Sequence, residues 1–427
     1  MSSTSESLSL PGDRRPGASP RDGIVRDAKV ISLISVVHFV SHLHAMLLPP
    51  IFVLVKTSFG VGYTEVAFAI TAYNIVSALL QTPAGFLVDR IGPRVMLTGG
   101  LLIATAATAV IALLPGYWTF IGAYALLGVA NTVYHPADYS ILSSAIDGKR
   151  IGKAFSVHTF SGYIGFGAAP AFMIACTALW GWHGAYLAAA ALAFGAALLL
   201  VVAGHILPTR PRAMAAAPKA ASTETKVGWD LLLSMPILRN LFFFLCLGMA
   251  NGGIQTYAVV SQQVIHGTPA SISNIALSGF LLMSAVGVLL GGVIADRTAH
   301  HERVAAIGFA CTAVMAILMG WVALPGFLLI LVMSVGGVLN GMIQPSRDMM
   351  VRAVTPPGSF GKVFGFVTTG LNLGGMVAPL AYGWMMDHGQ PQMIYAVVTL
   401  FILLALVTAI TRRKPEGSLH GLARAGS

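Results

Sequence analysis

Charged residues are scarce in this chain of 427 amino acids. Asp, Glu, Lys and Arg make up 9% of it, whereas a typical soluble domain carries about 25%. Hydrophobic residues make up 56%, and the mean hydropathy is +0.79. A soluble globule of this size could not bury so much apolar surface and still cover itself with polar groups. The composition therefore excludes a soluble enzyme, a disordered regulator and a secreted disulfide scaffold, and it predicts a protein embedded in lipid.

Cysteine and nucleotide-binding motifs are also scarce. The three cysteines, Cys176, Cys246 and Cys311, lie within apolar runs, which indicates packing and gives neither a disulfide framework nor a CxxC metal spacing. No phosphate-binding loop is present, so the chain is not expected to use ATP directly. The polar N-terminal stretch does not have the pattern of a cleaved signal peptide. We expect no cofactor, no resident metal and no enzymatic activity.

What the sequence does contain is twelve apolar segments, each long enough for the roughly 20 residues that a membrane helix needs. A stretch rich in Ala, Pro, Ser, Thr and Lys divides them into two groups of six. The predicted fold is an all-α membrane protein with twelve transmembrane helices in two pseudo-symmetric six-helix bundles. The predicted divisions are a disordered cytoplasmic N-tail at 1–29, a bundle at 30–206, a cytoplasmic linker at 207–236, a second bundle at 237–411 and a cytoplasmic C-tail at 412–427.

Basic residues are distributed unevenly between the predicted loops. Nearly all of the 25 Lys and Arg residues fall in the two tails, the central linker and every second loop, with Lys56 on the other side. The positive-inside rule then places both termini in the cytoplasm, in a bacterial-type inner membrane. Because topology explains the net charge of +10, we do not expect nucleic-acid binding.

The two halves repeat each other at a shift of 209 residues. His135-Pro136 aligns with Gln344-Pro345, and Pro170 aligns with Pro379. Two parallel six-helix repeats place a substrate site between them, near the middle of the bilayer.

Two sets of motifs carry a family resemblance. The loop after the second segment reads Gly85-x-Leu87-x-Asp89-Arg90-x-Gly92-x-Arg94, with a second partial copy at Gly292, Asp296 and Arg297. It resembles the signature loop of the major facilitator superfamily, although Pro93 stands where that family commonly has a basic residue. His38-Phe39-Val40, Tyr134-His135-Pro136-Ala137-Asp138 and the stretch from Phe155 through His158 to Gly162 resemble the fosmidomycin-resistance branch of that superfamily.

The resemblance implies secondary transport by alternating access. It also implies that the signature loop latches the cytoplasmic side in one state, and that the first, fourth, seventh and tenth helices line a central cavity. Gly85 is expected to allow a neighbouring helix to approach closely. Asp89 is expected to accept hydrogen bonds from another helix N-terminus. The alternative is that the charges of the loop are interfacial and follow the positive-inside rule.

Ionisable residues within the spans are candidates for proton coupling or gating, because a charge inside a membrane is costly unless it is paired. They are His135, Asp138, Arg347 and Asp348. Asp138 and Arg347 occupy equivalent repeat positions, so we expect a charge pair between them. The pair could close the cavity, take part in proton coupling or only fix helix register. Arg347 could also hold an anionic substrate group.

Further polar residues are candidates for lining the substrate cavity. His38 and His42 share a helix face, and histidine titrates near neutral pH. A metal site is a competing interpretation of the histidines, but no third ligand has convincing spacing. The candidates are His38, His42, Asn131, His158, Asn251, Gln255, Asn340, Gln344 and Asn372.

The leading functional hypothesis is a proton-coupled exporter of small anionic or amphiphilic compounds. The alternatives are a proton symporter that imports an organic acid and, less favoured, a non-transporting membrane receptor or scaffold. The expected partners are the lipid bilayer, a small-molecule substrate and protons, and the protein is expected to be monomeric.

Overall fold

The computed structural model describes residues 20–114, 116–146, 150–207, 229–298, 300–355 and 360–411. Within these ranges the chain is helical almost throughout. The predicted linker lies mostly outside them, as do the C-tail and the first nineteen residues of the N-tail.

The helices are numbered here by membrane crossing. In chain order they are α1 (Pro20–Ala45, continued past a 3₁₀ turn at Pro49–Ile51 by Phe52–Phe59), α2 (Tyr63–Ile91), α3 (Pro93–Leu113), α4 (Tyr117–Ala145), α5 and α6 (the parts of Ile151–Ala203 before and after Gly181), α7 (Met235–Gly252, continued by a π-helical turn at Gly253–Tyr257 and by Ala258–His266), α8 (Ala270–Arg297), α9 (His301–Trp321), α10 (Gly326–Arg352), α11 (Phe360–Asp387) and α12 (Pro391–Ile410). A short helix, Trp229–Leu232, precedes α7.

The predicted twelve crossings are confirmed. Nine segments of the described chain are long and apolar enough to cross a membrane, and one of them, Lys153–Ile206, contains two crossings. Gly181 separates α5 from α6, with φ of 72°, a conformation that side-chain-bearing residues rarely adopt. Helices α4 and α11 complete the set.

The packing has the predicted pseudo-twofold symmetry. Helix α2 packs on α4 as α8 packs on α10, and α1 packs on α5 as α7 packs on α11. The bundles meet along two equivalent seams, α2 with α11 and α5 with α8. Small residues allow close contact between α8 and α10: a methyl group on Gly291 would lie 2.6 Å from the backbone oxygen of Met342.

The N-tail is shorter than predicted, because α1 begins at Pro20 and not near residue 30. Polar contacts hold this added segment of nearly three turns against the bundle. Arg26 donates to the backbone oxygen of Ala145 at 3.1 Å, and the Arg150 guanidinium lies 2.6 Å from Asp27. Apolar periodicity could not reveal this segment, since half of its residues are charged.

Two faces of the molecule are named below. The basic face carries the start of α1 and the loop between α2 and α3, where Arg90 and Arg94 lie. The distal face is the opposite one, and it carries the start of α2 and the end of α11. The positive-inside rule predicts that the distal face is extracellular.

Candidate functional site

A buried carboxylate lies in the N-terminal bundle. Asp138 on α4 has none of its surface exposed, and neither of its oxygens accepts a hydrogen bond from the described residues. Moving an ionised carboxylate from water into a site without such bonds costs several kcal/mol of free energy. This carboxylate therefore requires a proton or a cationic partner.

Two histidines supply the nearest possible partners. His38 Nδ1 on α1 lies 3.2 Å from Asp138 Oδ2, and His158 Nε2 on α5 lies 3.6 Å from the same oxygen. The two imidazole rings are stacked, with centroids 3.7 Å apart. Both histidines are almost completely buried. Three helices thus direct three titratable groups toward one point.

Two more histidines extend this group, which we call the His–Asp cluster (His38, His42, His135, Asp138 and His158). The ring centroids of His42 and His135 lie 4.3 Å and 5.2 Å from that of His38. Ring nitrogens in all four histidines are buried without a hydrogen-bond partner in the described chain. Unsatisfied buried polar atoms are uncommon in native proteins and call for a functional explanation.

A glycine makes room for the cluster. A methyl group on Gly162 of α5 would lie 2.7 Å from His38 Nε2 and 2.9 Å from His42 Cε1. Because a side chain at this position would displace both rings, Gly162 sets how closely α5 approaches α1.

The cluster also has the spacing of a cation site. One ligand atom from each of His38, His135 and His158 lies within 4.8 Å of the other two. Sequence spacing could not reveal this set, because its three imidazoles come from three different helices, α1, α4 and α5, and His42 is not among them. The same nitrogens are proton acceptors, so the geometry admits either a proton or a soft divalent ion.

The expected pair between Asp138 and Arg347 is absent from this conformation, so that expectation is wrong here. Arg347 Nε lies 2.9 Å from Asp348 Oδ1, and its guanidinium stacks over the Phe244 ring at 4.8 Å. The long arginine side chain folds back along α10, which overcomes the divergence of adjacent helical positions. Asp138 points toward α1 and α5 within its own bundle.

Arg347 nevertheless lies at the junction of the two bundles. Gln344, one turn earlier on α10, donates a hydrogen bond to the Tyr163 hydroxyl of α5. The Arg347 side chain is 16% exposed and that of Asp348 is 49% exposed, so water or a solute reaches both. These residues form the second part of the site.

The remaining cavity candidates divide between the two bundles. Asn131 donates to the Ser77 hydroxyl at 3.3 Å, inside the N-terminal bundle. Gln255 lies in the π-helical turn of α7, a local distortion that is frequent at functional sites. Asn251, Asn340 and Asn372 are half-buried.

The signature loop is only partly described. Gly92 has φ of 106°, a conformation that requires glycine between α2 and α3, and Arg94 donates to the backbone oxygen of Val201 at 2.9 Å. Arg90 and Arg297 are exposed. The side chains of Asp89 and Asp296 lie outside the described part, and with them the predicted latch.

Gly85 and its repeat Gly292 do not mediate close helix packing, contrary to expectation. A methyl group on either would meet no described atom within 4 Å. The close glycine contacts of α8 are made at Gly287 and at the adjacent Gly291, on the side of the helix that packs against α10.

Sequence reasoning missed Asp387. This aspartate is the last residue of α11 and bonds across the seam to the start of α2. A signal was present: an acidic residue at a helix C-terminus opposes the dipole of its own helix, which suggests a partner elsewhere.

Comparison with known proteins agrees with this architecture. The chain is 23% identical to the fosmidomycin resistance protein of Escherichia coli K12 over 89% of this chain and 91% of that protein. It is 21% identical to the multidrug resistance protein MdtH of Shigella boydii, over 81% and 85%. A solved structure of a bacterial homologue of the human lysosomal transporter Spinster, inward-facing and occupied, superposes with a TM-score of 0.73 over 92% of this chain and 97% of that one, at 13% identity.

The family model of the Major Facilitator Superfamily matches residues 34–271 and 261–425. These matches cover nearly the whole chain, including both repeats and the His–Asp cluster. The protein is a transporter and not an enzyme, and it belongs to the major facilitator superfamily.

Proposed function

We propose that this transporter exports small anionic or amphiphilic compounds in exchange for protons, with the His–Asp cluster as the proton carrier. The observation that carries the proposal is the fully buried Asp138, surrounded by imidazoles with unsatisfied nitrogens. The relatives named for fosmidomycin and multidrug resistance support the export direction.

The cluster can bind a proton because its carboxylate oxygens and several of its ring nitrogens have no other hydrogen-bond partner in the described chain. A proton on Asp138 or on an adjacent imidazole removes the cost of an unpaired buried carboxylate. His38 and His158 contact the same oxygen, so one proton can be shared among three groups. The titratable groups around Asp138 are His38 and His42 on α1, Tyr134, His135 and Tyr139 on α4, and His158 on α5.

The anion site is proposed at Arg347. Its Nε donates to Asp348 Oδ1, which orients the planar guanidinium. Guanidinium matches carboxylate and phosphonate geometry, and the Phe244 ring supplies an apolar surface beside it. An anionic head with a hydrophobic body would use both.

A short path connects the two parts of the site. His158 and Tyr163 are five residues apart on α5, and Tyr163 bonds to Gln344, one turn from Arg347. Protonation in the N-terminal bundle and substrate binding on α10 therefore share one helix. Exchange follows if the movement of α5 that releases the proton also opens the contact with α10.

The test uses inverted vesicles with an acidic interior. Fosmidomycin and a panel of phosphonates, carboxylates and amphiphilic cations are added outside, and lumenal pH is followed. We expect anionic compounds to cause protons to leave vesicles that contain the wild-type protein. Vesicles with Asp138→Asn should release no protons, although the variant protein is present in the membrane at a normal level. If an outward proton gradient instead drives a preloaded compound out of the vesicles, the protein is a symporter and the export proposal is overturned.

Two controls separate the cluster from general effects. His44 is a buried histidine on α1 that is bonded to the backbone oxygens of Val40 and Ala189, outside the cluster. His44→Gln should retain exchange, whereas His38→Gln should lose it. Repeating the assay with a chelator, and then with added zinc, distinguishes proton exchange from metal-dependent transport. Loss of proton release in the chelator and its return with zinc would contradict the proton proposal.

A further inference from the structure

At the distal face, the carboxylate of Asp387 caps a helix of the other bundle. Its Oδ1 accepts from the backbone N–H of Tyr63 at 2.7 Å. Its Oδ2 accepts from the backbone N–H of Thr64 at 2.8 Å and from the Thr64 hydroxyl at 2.6 Å. Asp387 ends α11 in the C-terminal bundle and Thr64 begins α2 in the N-terminal one, so these bonds join the two bundles.

Helix α2 does not provide this cap itself. The first N–H groups of a helix have no partner within it, and a side chain at the N-cap usually supplies one. Here the N-cap is Gly62, which has no side chain. A methyl group on Gly62 would meet Glu65 Oε2 and would lie 2.9 Å from Asp387 Oδ1. The glycine thus leaves space for the carboxylate of Glu65 on the same helix and for that of Asp387 from the other bundle.

A second glycine brings the two helices together. A methyl group on Gly383, one turn before Asp387 on α11, would lie 2.8 Å from the Cα of Thr64. Deeper in the seam, Thr71 donates to the backbone oxygen of Met376 at 3.1 Å and Asn74 to that of Gly375 at 2.7 Å. One line of bonds from α2 to α11 therefore runs from the distal face into the bilayer.

We propose that Asp387 is the distal gate of the transport cycle, holding α2 against α11 only in the state that is closed at this face. The two bundles of such a transporter rock about a central site, and opening the distal side must separate these helices. All three bonds of Asp387 then break, and the helix dipole of α2 loses its anion. The inference depends on alternating access and not on the proposed substrate or proton coupling.

The chain offers a matched control for charge. Glu65 lies in the first turn of α2, next to Thr64, and is exposed. The hydroxyl of Tyr117 donates to its backbone oxygen within the same bundle. Glu65→Gln removes one negative charge from the same helix end without removing the bonds to Asp387.

The test measures opening directly. Thr71 is replaced by Cys in a variant whose three native cysteines are Ala, and membrane-impermeant maleimide is added from the distal side. Thr71 is buried in the closed seam and becomes exposed when α2 leaves α11. Asp387→Asn should raise the labelling rate roughly three- to tenfold, the range expected for losing a helix cap. Glu65→Gln should not raise the labelling rate, because it keeps the three bonds of Asp387 and removes a like charge that lies beside Asp387 at Gly62.

An unchanged rate in Asp387→Asn, or an equal rise in Glu65→Gln, overturns the gate. If the Asp387→Asn protein does not accumulate in the membrane, Thr64→Val is tested in its place. It removes one of the three bonds to Asp387 and should raise the labelling rate by a smaller factor. The labelling needs neither a substrate nor a proton gradient, so its failure leaves the proposed exchange activity untouched. Failure of exchange likewise leaves the gate standing.

Discussion

His38 Nδ1 lies 3.2 Å from Asp138 Oδ2, and both side chains are buried in the N-terminal bundle. The carboxylate that was expected to meet an arginine across the molecule instead meets an imidazole on its own side. Arg347 is left with Asp348 on its own helix α10 and with the Phe244 ring on α7. The proposed proton site and the proposed anion site therefore lie in different bundles.

Removing the ionisable carboxylate should uncouple transport. We expect Asp138→Asn to reduce proton-driven flux to background, because an amide cannot exchange a proton at this position. Counterflow of labelled substrate, which needs no net proton movement, should persist. Loss of both activities together with normal thermal unfolding would contradict a role limited to coupling.

Gly162→Ala should disturb the cluster through packing alone. The added methyl group would press on the rings of His38 and His42, and overpacking typically costs about 1–3 kcal/mol. We expect a lower thermal unfolding midpoint in detergent and an altered pH dependence of flux. Gly195→Ala on α6 is the control, since a methyl group there meets no described atom within 4 Å.

Arg347→Lys should weaken binding of anionic substrates while the charge is kept. Lysine cannot form the planar pair with a carboxylate or phosphonate, and losing one charge-assisted bond corresponds to roughly a tenfold rise in apparent KM. Initial rates of uptake into inverted vesicles measure this change. An equal rise in KM for a neutral compound would show that the cavity as a whole had changed.

The C-terminal bundle offers a stability test within one helix. Gly287→Ala should lower the stability of the protein by about 1–3 kcal/mol, because a methyl group at this position would meet the backbone of Val338 and Gly341 on α10. Gly292→Ala, five residues later on α8, should be neutral, since a methyl group there meets no described atom within 4 Å. Thermal unfolding in detergent compares the two, and equal losses would contradict the observed α8–α10 packing.

Several features of this protein were predictable because they depend on residues close together in the chain. Apolar runs of about 20 residues specify membrane helices wherever they occur. The repeated Pro136 and Pro345, inside α4 and α10, exposed the internal symmetry. Single residues such as Asp138 and His158 could be selected because polar groups are costly in lipid.

The partners of those residues could not be predicted in the same way. Asp138 was matched to Arg347 by repeat symmetry, but symmetry gives equivalent positions and not side-chain directions. Whether a carboxylate on α4 turns toward α5 or toward α10 depends on the rotation of each helix about its axis. That rotation is set by close contacts such as Gly162 against His38.

The amino-acid sequence by itself determined that the protein lies in a lipid bilayer, how many times it crosses it, that its two halves repeat and which family it resembles. Each of these follows from composition, periodicity or a local motif. Only the tertiary structure decided that His38 and His158 from two other helices meet Asp138 and that Asp387 caps α2. The donors and acceptors of that cap are more than 300 residues apart, and only the packing of the two bundles brings them within hydrogen-bonding distance.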